Sequence, residues 1–501
     1  MQQIMFSFRG YQAPPEILDA VRAGVAGAFC LFAYNVESPE QLRALCQSLM
    51  DAAAEGGFPP PLIGIDQEGG QLMSINGQAT ALPGNMALGA ARSVELARAA
   101  GGVLGRELRA VGVNLNFAPS LDVNNNPLNP VIGVRSFGDD PEWVGRLGTA
   151  LIAGMEAEGV LATAKHFPGH GDIVSDTHHG QALVPHALDR MNAVELAPFR
   201  AAIAHGVGAI MSAHITFTAL DDQPATLSRR ILHGLLRDEM GYDGLIITDA
   251  MDMYAVSRLG AYESVSAALR AGADLVMLGH LPDQLALAQR MVPFGTPEAA
   301  ARVMRARERL PRTLLPFELL GCAAHQQVAH QIAEAAVTRV RGEATLQMSA
   351  RQRLTVIVPK PVNLTPADTS AMIRVDLAAA FARRGILVDA IEIPFGADLA
   401  DIRSVVGRAL KSDHIVIGTI AADQDPAQAA LVNGLLAEGR QPVVVALRTP
   451  YDLGQFPTLR DYWCTYSIRP AAVEAFARAV LGEFTPTGVL PCRLPSDPLP
   501  A

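Results

Sequence analysis

The chain has 501 residues, half of them hydrophobic, and a formal net charge of −10; this length favours one large and one medium domain over a single compact unit. No basic cluster stands out, which argues against a nucleic-acid partner, and no apolar run reaches the roughly 18 residues that a membrane-spanning helix needs. The start, MQQIMFSFRG, lacks a basic stretch ahead of an apolar one, so no signal peptide is expected, and five scattered cysteines without CxxC spacing read as free thiols in a reducing cytoplasm.

Short apolar runs alternate with longer amphipathic ones. Strands are predicted at 3–8, 27–33, 61–66, 113–119, 161–167, 209–215, 244–250 and 273–279, with helical stretches such as 38–55 and 192–206 between them. Some of these helices open on a Ser-Pro or Asn cap, and several close near glycine. Eight such strand–helix units fit a (β/α)8 barrel of the TIM type over 1–315, with a doubly wound sheet as the alternative for this half. Residues 316–350 are Ala-, Gln- and Arg-rich and read as a helical linker. A second α/β series follows over 351–501, with strands predicted at 354–359, 386–393, 414–420 and 442–447, and reads as a smaller doubly wound domain.

In a barrel of parallel strands the chemistry collects at their C-terminal ends, where the loops surround one mouth. The predicted strand ends carry Asp66 and Glu68 in IDQEGG, Asp122 beyond NFAPSLD, Lys165 and His166, His214 in MSAHI, and Asp249 in IITDAMDM. Arg135 falls in the long loop after the fourth strand. Any one of these has an ordinary structural explanation; the whole set converging on one mouth is hard to explain by packing. Asp249 fits a nucleophile, a base or a helix N-cap, with Asp252 three residues on. Lys165 draws notice for another reason. The chain has only three lysines among 40 basic residues, and Lys165 is the only one before Lys360. A compact ammonium is not equivalent to a guanidinium.

Residues 165–179, KHFPGHGDIVSDTHH, collect four histidines, two aspartates and that lysine. A metal site, an acid–base centre and a polar loop are the alternatives. His166 and His170 have i, i+4 spacing, but Pro168 and Gly169 break the helix that would present both to a zinc ion. The spacing Asp176-Thr177-His178 suits a carboxylate that holds one imidazole nitrogen while the other exchanges protons near neutral pH. His179 reads as a bystander.

KHFPGHG followed by SDTH, together with IDQEGG, RSFG and GLIITDAMDM, resembles the family 3 glycoside hydrolases. Within them the likeness is to the bacterial β-N-acetylglucosaminidases of the branch that acts on peptidoglycan fragments. It continues into the second half, where VVVALRTPYDL and LGEFTPTGVLPCRLP look like the closing segments of two-domain members. The resemblance implies a retaining mechanism with Asp249 as nucleophile and His178, paired with Asp176, as acid and base. It implies that Asp66, Arg135, Lys165 and His166 hold the sugar's hydroxyls and acetamido group. It implies no cofactor, no metal and no membrane partner, a small saccharide substrate such as a muropeptide-like fragment, and peptidoglycan recycling in the cytoplasm. The sequence does not set the oligomeric state; a monomer is expected.

One feature departs from that pattern. Members commonly carry arginine just after EGG, whereas residues 71–78 read QLMSINGQ, so a charged contact to the sugar's far hydroxyls is missing or supplied elsewhere. The rival readings are a phosphorylase using the same intermediate, a family 3 β-glucosidase, a sugar-binding barrel with lapsed catalysis, and a metallohydrolase. The SDTH loop argues against the β-glucosidase, which usually takes its acid from the second domain. Retention of Asp249 and His178 argues against the lapsed binder, and chelator sensitivity is the mark of the metallohydrolase.

Overall fold

The computed structural model describes residues 2–174, 180, 182–343, 345–349 and 351–494. Eight parallel strands follow one another around a ring: Ile4–Met5, Ala28–Leu31, Leu62–Ile65, Leu115–Asn116, Leu161–Phe167, Ala209–Ser212, Leu245–Thr248 and Val276–Met277. The second to seventh form one sheet in sequence order. The eighth pairs with the first, and parallel bridges Phe6–Phe29 and Ile247–Leu275 join these two to the rest, closing the ring. A helix packs between each strand and the next, as the sequence predicts.

Alternation along each strand divides the core. Met5, Ala28, Cys30, Leu62, Leu115, Phe117, Ala209, Met211, Leu245, Ile247, Leu275 and Met277 fill the barrel interior. Their neighbours, such as Phe29, Leu31, Ile63 and Ile246, face the helices. Gly64 belongs to this packing: a Cβ there would lie 2.4 Å from the Phe117 ring.

The second sheet has six strands, in the spatial order Thr338–Arg341, Asp461–Cys464, Val443–Ala446, His414–Thr419, Arg353–Pro359, Leu387–Ile393. All pairs are parallel except the first, which is antiparallel. The five parallel strands make a doubly wound sheet, and its order reverses between Arg353–Pro359 and His414–Thr419.

Two of these strands are absent from the sequence reading. Asp461–Cys464 is only four residues long, and Thr338–Arg341 lies inside the stretch read as a helical linker. That stretch does contain the helix Ala323–Ala336. The chain then turns into an edge strand whose TRVR sequence carries no apolar run, because one side of it faces water. The helix is tied to the barrel by His325, whose Nδ1 lies 2.9 Å from the buried Glu107 carboxylate.

All five cysteines are free, and four are buried. Among the described residues, no helix is long and apolar enough to cross a membrane.

Candidate active site

The third barrel strand ends at Ile65 and hands the chain to a tight loop. Asn116 on the neighbouring strand pins it, accepting from the Gln67 N–H at 3.0 Å and donating to the Gln67 carbonyl at 2.9 Å. The Gln67 side chain in turn bonds both the N–H and the carbonyl of Ile75. Gly69 and Gly70 have φ of +89° and +59°, and a Cβ at Gly70 would stand 3.0 Å from the Pro83 carbonyl oxygen. The double glycine thus lets the turn pack on 83–84. The result is that Asp66 and Glu68 project at the mouth.

Two cations converge on them. The Lys165 ammonium lies 2.7 Å from Asp66 Oδ1 and 2.7 Å from Glu68 Oε1. Arg135 grips Glu68 from the other side, with Nε at 3.1 Å and Nη2 at 2.8 Å from its two oxygens. The side chains of Glu68, Lys165 and Arg135 are 2–4 % exposed, while Asp66 is 28 % exposed. Two negative and two positive charges thus balance in a nearly dry box, with Asp66 at its open edge. Burial alone would raise the Glu68 carboxyl, but Arg135 and Lys165 outweigh it and hold it down at about 2. Burial opposes the Lys165 charge as well, yet Asp66 and Glu68 win and raise its pKa. A lysine suits this position because its three N–H donors radiate from one point. Two of them are directed at the Asp66 and Glu68 carboxylates.

Beside this box the pairing of the fifth strand with the sixth slips between Ala164 and Phe167. His166 is clamped there by Asp122, whose Oδ2 meets the ring Nδ1 at 2.7 Å and whose Oδ1 accepts from the His166 N–H at 3.1 Å. The same Oδ1 accepts from the His170 N–H at 2.6 Å, and Ser120 Oγ donates to Oδ2 at 2.8 Å. Burial would raise Asp122, but His166 and the hydrogen bonds outweigh it and keep its pKa below the usual carboxylate range. With Nδ1 on a carboxylate, the His166 ring is held in one orientation. His170 packs on His166, ring centroids 5.1 Å apart, and burial with the neighbouring His166 lowers it to about 4, so it is neutral at pH 7.

Asp249 follows the seventh strand, half-buried at the rim. Its N–H reaches the Ser212 carbonyl at 3.3 Å, and its Oδ1 accepts from the Ala250 N–H at 2.8 Å. The next helix begins only at Tyr254, with Met253 before it. Asp249 is therefore no helix N-cap, and neither is Asp252, which instead holds His280 Nδ1 at 2.7 Å. His214 fixes the backbone beside Asp249: its Nε2 lies 3.0 Å from the Ala250 carbonyl and so carries the proton, while Nδ1 meets Thr226 Oγ1 at 2.8 Å.

The structure thus brings together Asp66, Arg135, Lys165, His166 and Asp249 at one mouth, as the sequence places them. Asp176 and His178, and the bystander His179, lie outside the described residues. The chain leading into and out of that segment is joined by Asp172, 2.6 Å from His186 Nε2 and 3.0 Å from Asn126 Nδ2. Among the described residues no group of three His, Cys, Asp or Glu side chains is placed to hold a metal ion. The sequence shows Glu68 and Asp122 as strand-end carboxylates, but not that they organise the cations and His166. Their signal, an acidic residue within a few positions of a predicted barrel strand's end, is the one that picks out Asp66 and Asp249.

Residues 3–313 match the Glycosyl hydrolase family 3 N terminal domain. The chain is 31 % identical to "Beta-hexosaminidase A" of Pseudoalteromonas piscicida, over 95 % of this chain and 91 % of that protein. It is 36 % identical to a "Beta-hexosaminidase" of Thiobacillus denitrificans, over 62 % of this chain and 87 % of that protein. The solved glycoside hydrolase family 3 β-N-acetylglucosaminidase of Paenibacillus sp. str. FPU-7 superposes with a TM-score of 0.93 at 35 % identity, covering 98 % of each chain. The family match over most of the chain, together with these relatives, shows that the chain belongs to glycoside hydrolase family 3.

Proposed function

We propose that this glycoside hydrolase is a retaining exo-β-N-acetylglucosaminidase that removes terminal β-linked N-acetylglucosamine, with saccharides derived from peptidoglycan as its substrates. The observation that carries the reading is that Asp249 lies at the same barrel mouth as Asp66, Glu68, Lys165 and Arg135. A rim carboxylate there stands with a fixed array of donors and acceptors suited to hydroxyl groups. The names of the relatives, β-hexosaminidase and β-N-acetylglucosaminidase, support the choice of sugar.

In this mechanism an Asp249 oxygen attacks the anomeric carbon as the bond to the leaving oxygen breaks, and His178 delivers a proton to that oxygen. The resulting glycosyl ester is then attacked by water, whose proton passes to His178, freeing the sugar and Asp249. Asp176 holds the imidazole and stabilises its protonated form. Retaining glycosidases usually use two carboxylates; here a histidine takes the place of one. Asp66, Lys165, Arg135 and His166 keep the ring aligned for attack, a contribution that requires their positions to be set before the substrate arrives. The network around Glu68 and Asp122 sets them.

The imidazole also favours a second reading. A deprotonated histidine is neutral, so it does not repel an incoming phosphate as a carboxylate would, by roughly 4 kcal/mol for unit charges at about 4 Å and an effective dielectric near 20. Water needs only a base and is far more concentrated, so hydrolysis is the main activity. The test is product analysis on an aryl β-N-acetylglucosaminide with and without millimolar phosphate at fixed ionic strength. Free N-acetylglucosamine under both conditions is expected. A sugar 1-phosphate as main product would replace the reading with a phosphorylase, and no turnover would end it.

A further inference from the structure

The loop after the third barrel strand has no charged residue from Gly70 to Gln78; its cationic partners come from the second domain. Arg448 donates to the Gln71 side-chain carbonyl and, at 2.8 Å, to Asp368. Arg469 donates to the Gly70 carbonyl at 2.6 Å and to Asn76 Oδ1 at 3.0 Å. Thr369 closes the seam, donating its N–H to the Gln71 carbonyl at 2.9 Å and accepting from the Met73 N–H at 3.1 Å. Further round the rim, a Cβ on Gly133 would lie 3.3 Å from Thr449, and the Tyr451 hydroxyl accepts from Asn124 at 2.7 Å. The segment 448–451 therefore runs along the rim from Gln71 to Asn124, beside the loops that carry Glu68, Arg135 and Asp122.

These side chains leave the carboxyl ends of the second sheet's parallel strands. Asp368 and Thr369 follow Arg353–Pro359, and Arg448 follows Val443–Ala446. In doubly wound sheets that end is where ligands are held, and here it faces the carboxyl ends of the barrel strands. Asp423 follows His414–Thr419 and so leaves the same end of the sheet, where it is solvent-exposed and within electrostatic reach of Arg448.

The ring fixes which part of a sugar meets this wall. The third and seventh strands are four apart among eight, on opposite sides of the mouth. A sugar whose anomeric carbon meets Asp249 on the seventh points its other end at the third and fourth strands, and so at 448–451.

We propose that Arg448 is a specificity-determining residue for the terminal sugar. Its guanidinium, held by Gln71 and Asp368, donates to the hydroxyls farthest from the scissile bond, and Asp423 is the accepting partner. This rests on the glycosidase reading and concerns which sugar the enzyme takes. A guanidinium only donates and a carboxylate only accepts, so together they read the direction in which a hydroxyl points. Loss of one charge-assisted hydrogen bond costs on the order of tenfold to a hundredfold.

The experiment measures kcat and KM for an aryl β-N-acetylglucosaminide and for its C4 epimer, the β-N-acetylgalactosaminide. It compares the wild type with Arg448→Ala, Arg448→Lys and Asp423→Asn. Arg448→Ala is expected to lose about tenfold to a hundredfold in kcat/KM on the glucosaminide and much less on the epimer, so that their ratio collapses, with Arg448→Lys restoring part of it. Asp423→Asn, which leaves the Gln71 contact in place, is expected to move the ratio the same way. Equal losses on both epimers would make Arg448 an interface residue only and overturn the proposal. So would a ratio unchanged in Asp423→Asn when Arg448→Ala fails to fold. A wild type that cleaves neither epimer would instead overturn the glycosidase reading.

Discussion

Glu68 is the residue on which the charged box depends, and Glu68→Gln tests that directly. The carboxylate bonds Lys165 and Arg135 with both oxygens while almost wholly buried. Its pKa falls from the usual 4.5 to about 2, which at about 1.36 kcal/mol per pKa unit corresponds to roughly 3 kcal/mol of stability at neutral pH. The sign follows from the folded value lying below the unfolded one. The contribution is complete above pH 4.5 and is lost as the pH falls towards 2, so by pH 3.5 it has dropped by about 1 kcal/mol. In Glu68→Gln the two cations keep only Asp66, which is partly solvated, and removing one partner of a buried ion pair costs about 3–5 kcal/mol. Chemical denaturation of both proteins at pH 7, 5 and 3.5 should show a gap of about 3 kcal/mol at pH 7 that narrows at pH 3.5. Activity should fall too, because Lys165 and Arg135 lose their common anchor. A gap below about 1 kcal/mol, or one that widens with acid, would mean that the Glu68 ion pairs do not carry this stability.

The acid–base assignment predicts that His178→Ala spares activated aryl glycosides and cripples substrates with poor leaving groups; a flat loss across a leaving-group series would remove His178 from that role. Asp176→Ala should give the same pattern more mildly. At the opposite end of the barrel, burial raises Glu156 from 4.5 to about 7 despite backbone N–H donors from Gly208 and Ala162. A folded value above the unfolded one means that stability falls as the pH rises from 4.5 to 7. Glu156→Gln should therefore stabilise the protein at pH 8, by up to about 3 kcal/mol, and have little effect near pH 4.5. Thermal melts that show the larger gain at the acid end would contradict this.

The barrel was legible because a parallel strand buried on both faces reads as an apolar run, and several of these runs end at or beside a polar residue. Lys165 was legible from composition, and Asp249 from the carboxylate closing IITD. The second sheet was legible where strands are central and apolar, as in VVVA and HIVIGT. It was not legible at one edge, where Thr338–Arg341 carries two arginines, nor in the four residues Asp461–Cys464. The organising roles of Glu68 and Asp122 were hidden because they depend on partners 67 and 44 residues away. The contact of Arg448 with Gln71 spans 377 residues and two domains. The missing arginine after EGG left a question in the sequence that only the seating of the second domain on that loop addresses.

The proposed mechanism requires Asp249 to bond covalently to the sugar. Incubation with a fluorinated glycosyl fluoride that slows release of the intermediate, followed by proteolysis and mass mapping of the labelled peptide, tests it most directly. One sugar per chain is expected, attached to Asp249 in the peptide that contains IITDAMDM, with no label in Asp249→Ala. A label on Asp252, Asp66 or any other residue, or turnover that persists in a folded Asp249→Ala protein, would contradict it.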